Sequence, residues 1–280
     1  MVLVTFLWSL AGVVTRHLEH AQKFEVTFWR SFFTVLSLLV VLPLVQGPGV
    51  FRRMRHGSKA LWFSGLCWCG MFTFFMLALM LTSVANVLVT MALSPLLTAL
   101  AARIFIGHRI ALRTWLAIAV GGAGIAYMYA GQLVQGLSLT GTLVALAIPI
   151  SGAANWTLNQ HAHAHGEDVD LMPAVLIGAV LSSLLTLPLA WPFQASGHDL
   201  LLLGGLGLVQ LAIPCLLVVL CQKVLKAHEV ALLGLLEVIF GILLAWVGAG
   251  EVPGPDVLTG GMLVIGALVA NELLAWRGRV

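Results

Sequence analysis

Charge is what this sequence has least of. Only 9% of its 280 residues are Asp, Glu, Lys or Arg, against about 25% in soluble domains. Hydrophobic residues make up 60%, the mean hydropathy is +1.04, and no long polar block interrupts the chain. That combination excludes a separate soluble domain and leaves room for many membrane spans joined by short loops. Cysteine is scarce too. Cys67, Cys69, Cys215 and Cys221 all lie inside or at the ends of apolar runs, as small packing residues do, so no disulfide framework is expected. The sequence has no Walker A loop, no G-x-S-x-G and no H-E-x-x-H, which removes the usual signals for ATP hydrolysis and hydrolase chemistry.

The formal charge of +3 does not point to nucleic acid, because the basic residues sit in short connectors between apolar runs. "NQHAHAHGEDVD" at 159 to 170 alternates histidines, which places them on different helix faces. A solvated loop explains it, so neither a metal nor any cofactor is expected. The opening "MVLVTFLWSLAGVV" lacks a basic n-region and a small-residue cleavage site, and reads as a retained first span. Arg16 comes early after it, so either it snorkels outward or a few residues precede the chain.

Apolar runs of about 17–25 residues mark spanning helices. They fall near 1–18, 24–45, 60–81, 84–106, 114–130, 141–158, 171–191, 200–221, 229–247 and 257–275. The runs lack barrel alternation, so the expected fold is an all-α integral membrane protein with ten transmembrane helices. With the N-terminus inside, the cytoplasmic segments collect Arg52, Arg53, Arg55, Lys59, Arg103, Arg109, Arg113, Lys223, Lys226, Arg277 and Arg279, and the opposite side only Arg16 and Lys23. This bias follows the positive-inside rule and places both termini in the cytoplasm of a bacterial-type inner membrane.

The chain also repeats itself. "TSVANVLVTMALSPLLTALAARIFIGHRI" (82–110) aligns without gaps on "LKAHEVALLGLLEVIFGILLAWVGAGEVP" (225–253), pairing Gly107 with Gly250, His108 with Glu251, Ser94 with Glu237 and Asn86 with Glu229. "LPL" at 42–44 likewise answers "LPL" at 187–189. Two five-helix units follow, 1–130 and 131–280, and because five is odd they enter the membrane from opposite sides as inverted repeats.

With Trp8 and Ser9 in the opening helix and the segments "LSPLLTALAARIFIGHR" and "LLEVIFGILLAWVGAGE", the whole chain resembles the EamA family of the drug/metabolite transporter superfamily. The resemblance implies a carrier of small metabolites, often outward, and leaves the solute open. The sequence departs from the family pattern twice: His108 stands where Glu is usual, and Val238 where Pro usually follows Glu237. A helix break at the second position is therefore in doubt, while Pro95 can supply one in the first copy.

Polar residues inside the spans mark the candidate site. Asn86, Thr90 and Ser94 lie four apart on one helix face, and their repeat partners Glu229, Leu233 and Glu237 do the same, so the two stripes are expected to face each other. Thr27, Arg30, Thr34 and Ser37, then Thr5, Ser9 and Gly12, then Ser151, Asn155 and Trp156 add further polar faces. Ordinary cross-helix hydrogen bonding, at about 0.6 kcal/mol each, accounts for most single Ser or Thr residues. Glu237 differs, since an acid at a helix centre costs about 2.5–3.5 kcal/mol to insert.

It reads as a proton-coupling or substrate-amine site, against the plainer reading of a neutral Glu bonded to a neighbouring helix. Arg30 reads as a carboxylate or phosphate ligand, against snorkelling or pairing with Glu25. Trp8, Trp156, Phe72, Phe74 and Phe75 are candidate pocket walls, though most such rings serve packing. Glycines at 121–124 and 260–261 suit close helix approach between units or protomers.

The leading reading is a secondary transporter of a small metabolite or amino-acid-like solute, working by alternating access, with protons as a candidate coupling ion. Its other partner is the lipid bilayer, and a homodimer is compatible with the glycine faces. The competing reading is a membrane scaffold or assembly partner of the same fold. No reactive cluster supports an enzyme.

Overall fold

In the computed structural model, residues 1–105, 107, 111–134, 139–164, 171–221, 233–234 and 236–277 are described. Glu229, His108, Arg109, Lys223, Lys226, Arg279 and the stretch 165–170 lie outside them, as do the side chains of 159–164. The described residues are helical almost throughout. In chain order the helices are α1 (Val2–Thr15), α2 (Lys23–Gln46), α3 (Val50–Arg55), α4 (Lys59–Leu81), α5 (Val84–Met91), α6 (Ser94–Phe105) and α7 (Leu112–Val134). Then come α8 (Leu139–Ala164), α9 (Pro173–Ala190), α10 (Gly197–Gly205), a π-helical segment (Leu206–Ala212), α11 (Ile213–Cys221), α12 (Leu236–Ala249) and α13 (Pro255–Arg277).

Among the described residues, six helical stretches are long and apolar enough to cross a membrane, two of them composite: Val84–Phe105 joins α5 to α6, and Gly197–Cys221 joins α10 to α11. Four shorter apolar helices accompany them, within α1, α7, α12 and α13. Large apolar side chains cover the outside, with Leu44 79% and Val247 84% exposed. Water would not tolerate so continuous a surface, and lipid requires it. This is a multi-pass membrane protein.

Local sequence sets the element ends. Pro95 has no N–H and crowds the carbonyl of Met91, so α5 stops at Met91 and α6 restarts at Ser94, where the sequence expects a break. A second proline shapes the other composite helix. Pro214 cannot donate to the Gln210 carbonyl, and the turns before it widen into the i→i+5 ladder of the π segment. Gly107 and Gly250, paired in the repeat, both adopt left-handed φ, 73° and 66°, and Gly250 N–H closes α12 on the Trp246 carbonyl at 3.1 Å.

Packing follows the repeat. Helices α2 and α9 pack together, as do α7 and α13, and these are partners across the two halves. Exchanging the halves carries α1 against α12 onto α8 against α6. It also carries α4 against α8 and α9 onto the α10–α11 helix against α1 and α2, and all these pairs are present. The glycine faces act inside the chain: a Cβ on Gly124 of α7 would stand 2.8 Å from the Gly260 carbonyl of α13.

Three departures from the sequence reading have simple causes. Connector 46–59 is not all loop, because α3 folds there with three arginines and Arg53 donates to the Gln46 carbonyl. Arg16 neither snorkels nor dangles: its Nε meets Glu251 at 2.7 Å, and its other nitrogens donate to the carbonyls of Leu79 and Thr82. The stripe on α5 does not face α12. Asn86 turns its amide to Thr82 and to Thr142 of α8, while Leu88 is the residue that fits against Gly241 of α12.

Candidate functional site

Arg30 occupies the seam between two buried apolar clusters, one containing Phe75 and the other Phe72. It is 1% exposed, with its guanidinium 5.7 Å from the Phe75 ring centroid and 5.9 Å from that of Phe72. Nη2 donates to the Phe72 carbonyl at 2.9 Å and Nη1 to Gln210 Oε1 at 3.2 Å, while Nε has no partner. Glu25 does not neutralise it. That carboxylate accepts from the backbone N–H groups of Gln22, Gln194 and Ala195 and from the Trp29 indole, one α2 turn above Arg30. Among the described residues the Arg30 charge is buried without a counter-ion, and such a charge is costly at membrane depth.

Gln210 is the residue that sequence reasoning missed. It is 2% exposed on the π segment, accepting from Arg30 and donating from Nε2 to the Trp8 carbonyl of α1 at 3.2 Å. The close approach depends on Gly207, whose missing side chain leaves room for the α2 backbone, and Thr34 Oγ donates across this gap to the Gly207 carbonyl at 3.2 Å. The available signal was an amide inside the 25-residue apolar run Gly197–Cys221, which is as anomalous in lipid as an isolated charge is.

Cys215, fully buried one turn beyond, lies near the Trp8 side chain, with Arg30 and Glu237 in its wider surroundings. Glu237 is in the first turn of α12, partly buried, and makes no hydrogen bond or ion pair with a described residue. One turn on, Gly241 fits against Ser9 of α1 and Leu88 of α5. Trp8, Arg30 and Gln210 thus form one polar thread from α2 through the π segment to α1, with Cys215 beside it and Glu237 on the neighbouring α12. Ser9 lies beside it but spends its hydroxyl on the Phe6 carbonyl at 2.6 Å.

The remaining expected residues sit elsewhere. Asn86 and Thr90 are fully buried against α8, the threonine hydroxyl donating to the Asn86 carbonyl. Asn155 accepts from Ser64 Oγ at 2.7 Å and leaves Nδ2 unpartnered. Ser94 and Trp156 flank Gly152 of α8, and Trp156 meets Trp68 edge to face at 6.2 Å. A hydroxyl cluster of Ser31, Thr73 and Ser182 links α2, α4 and α9, each contact at 2.9 Å.

One end of the bundle is tied shut by acids. Asp199 accepts from the backbone N–H groups of Glu19, His20, Ala21 and Ser196, and Glu251 joins Arg16 to the Val84 N–H at the start of α5. An apolar groove of about 290 Å³, lined by residues such as Ile239, Leu243, Trp246 and Leu258, opens on the lipid side and does not reach the polar thread. No group of three or more metal-ligating side chains occurs among the described residues.

A helical membrane bundle that buries an arginine without a counter-ion among the described residues holds a costly polar group inside the bilayer. The EamA-like transporter family model matches residues 1–130 and 139–271, so the chain belongs to that family, whose members are transporters and not enzymes. One crystal structure of a protein is similar to this chain with a TM-score of 0.65, covering 99% of this chain and 96% of its own at 20% identity, which shows the fold alone. No curated protein matches the sequence.

Proposed function

We propose that this protein is a secondary transporter that exports a small amino-acid-like solute by alternating access. Ten spans form two inverted units, 1–130 and 131–280, that rock about the polar thread, with both termini cytoplasmic in a bacterial-type inner membrane. Arg30 receives the carboxylate of the solute, and Glu237 meets its amine or carries the coupled proton. Trp8, Ser9 and Cys215 line the space between these groups, while Asn86, Thr90, Ser94, Asn155 and Trp156 line the neighbouring α8 face. Export is the direction that the family resemblance implies.

The observation that carries this reading is Arg30, a cation 1% exposed, bonded to the Phe72 carbonyl and the Gln210 amide and to no ionic partner among the described residues, with Glu237 a second ionisable group that makes no hydrogen bond with a described residue. Insertion of each charge costs about 2.5–3.5 kcal/mol, a penalty that function or a partner must offset. A solute carrying both an amine and a carboxylate complements the two. The test is uptake of the common L-amino acids by the purified protein in liposomes, with and without a pH gradient. Wild type moves at least one of them, Arg30→Gln abolishes the movement, and Glu237→Gln removes its dependence on the gradient. Movement at the wild-type rate by both variants contradicts the assignment.

A further inference from the structure

Gln210 presents Arg30 with a planar amide of the same size and shape as a carboxylate but without its charge. Its Oε1 stands 3.2 Å from Nη1, whereas guanidinium–carboxylate bonds run about 2.7–2.9 Å. The other end of the same amide holds the Trp8 carbonyl at 3.2 Å, a backbone group on α1, in the opposite half of the chain from the π segment. Both contacts are long, and Arg30 Nε is unpartnered. An arriving carboxylate therefore finds at Nη1 a donor held only by a weaker, neutral acceptor, while the free Nε lies on the other side of the guanidinium.

We infer that Gln210 is a stand-in for the solute's carboxylate: it occupies Arg30 while the site is empty and is displaced when the solute binds. This rests on the reading of Arg30 as the anion site. Displacement has a consequence beyond affinity. Once Oε1 leaves Nη1, the amide turns and Nε2 leaves the Trp8 carbonyl, so the same event that seats the solute releases α1 from the π segment. The tie between the two halves is thereby conditional on an empty site. The π segment suits this role, since such turns inside α-helices recur at functional sites.

The closing experiment uses the full chain, purified in detergent for thermal unfolding and reconstituted for uptake of the L-amino acid panel. Gln210→Glu installs a resident carboxylate beside Arg30. It raises Tm above wild type, that rise disappears in the Arg30→Gln, Gln210→Glu double variant, and uptake falls to that of empty liposomes. Gln210→Leu, which removes the competitor, lowers the KM of the transported amino acid. The inference is overturned if Gln210→Glu shows no coupling to Arg30 in Tm, if it transports with the wild-type KM, or if Gln210→Leu raises KM. Failure of wild type to move any amino acid would instead refute the solute class, while the Tm cycle, which needs no solute, still decides the role of Gln210.

Discussion

Replacing Gly207 by alanine puts a methyl group where α2 already is. The new Cβ would stand 2.7 Å from Phe33 Cβ, 2.8 Å from Thr34 N and 2.9 Å from Phe33 C. Two of the three are backbone atoms that no rotamer change can move. Carbon pairs settle at about 3.5–4.0 Å, so the π segment must retreat by nearly ~1 Å. The longer arm of the Thr34 hydroxyl bond, 3.2 Å from the Gly207 carbonyl, then stretches to about 4 Å and is lost, while its 2.8 Å bond to the Arg30 carbonyl remains. Overpacking costs about 1–3 kcal/mol and the lost bond about 0.5–1.5 kcal/mol. Alanine's better helix propensity returns about 1 kcal/mol, leaving a net loss of about 0.5–3.5 kcal/mol.

Gly204 is the control: a Cβ there touches only the Phe33 ring, at 3.8–3.9 Å, an ordinary contact. Unfolding of the purified variants in mild detergent, followed by tryptophan emission, should show a Tm several degrees lower for Gly207→Ala and an unchanged or higher Tm for Gly204→Ala. Equal Tm values for the two variants would refute the claim that α2 and the π segment are held at backbone contact.

Three further outcomes follow from the same geometry. Glu251→Gln loses the ion pair with Arg16 and weakens the cap on Val84, and unfolding measurements should show a loss of about 1–3 kcal/mol, as for charge-assisted bonds in partly buried sites. Asp199→Asn offers one acceptor oxygen to four backbone donors, so proteolysis at the 16–22 loop should quicken in the variant, and an unchanged rate would mean that the loop is held by something else. Gly124→Ala forces α7 from the Gly260 carbonyl and should cost about 1–3 kcal/mol by overpacking, whereas Gly122→Ala, which meets open space, should be neutral or stabilising by up to about 1 kcal/mol in the same unfolding measurement.

The spans were legible because their lengths and apolar content are dictated by the bilayer, and the break before Ser94 was legible because Pro95 acts on its own local backbone. Gly107 and Gly250 could be paired from the repeat, and both take the same left-handed turn. That Arg30 is an unusual cation was readable from its place in an apolar run, although snorkelling or pairing with Glu25 stood as alternatives to its full burial. Its partners were not. Gln210 reaches it across 180 residues, through a widened turn that only the later Pro214 hints at. Glu25, the nearest acid in sequence, was the natural partner to suspect, yet it caps a loop 169 residues away. The Asn86 and Glu237 faces were set in opposition because equal spacing implies equal direction on an ideal helix. The actual rotation of each helix is decided by small residues such as Gly241, which bring Leu88 and not Asn86 to α12.

Alternating access requires that the polar thread, sealed in this structure, open to water during the working cycle. Cys215 reports on it directly, being fully buried one turn beyond Gln210. In a variant with Cys67, Cys69 and Cys221 changed to serine, reaction of Cys215 with a membrane-impermeant thiol reagent should proceed slowly in sealed vesicles, from one face, and be slowed further by a transported amino acid. A thiol that stays unreactive from both faces until the protein is unfolded would contradict the account.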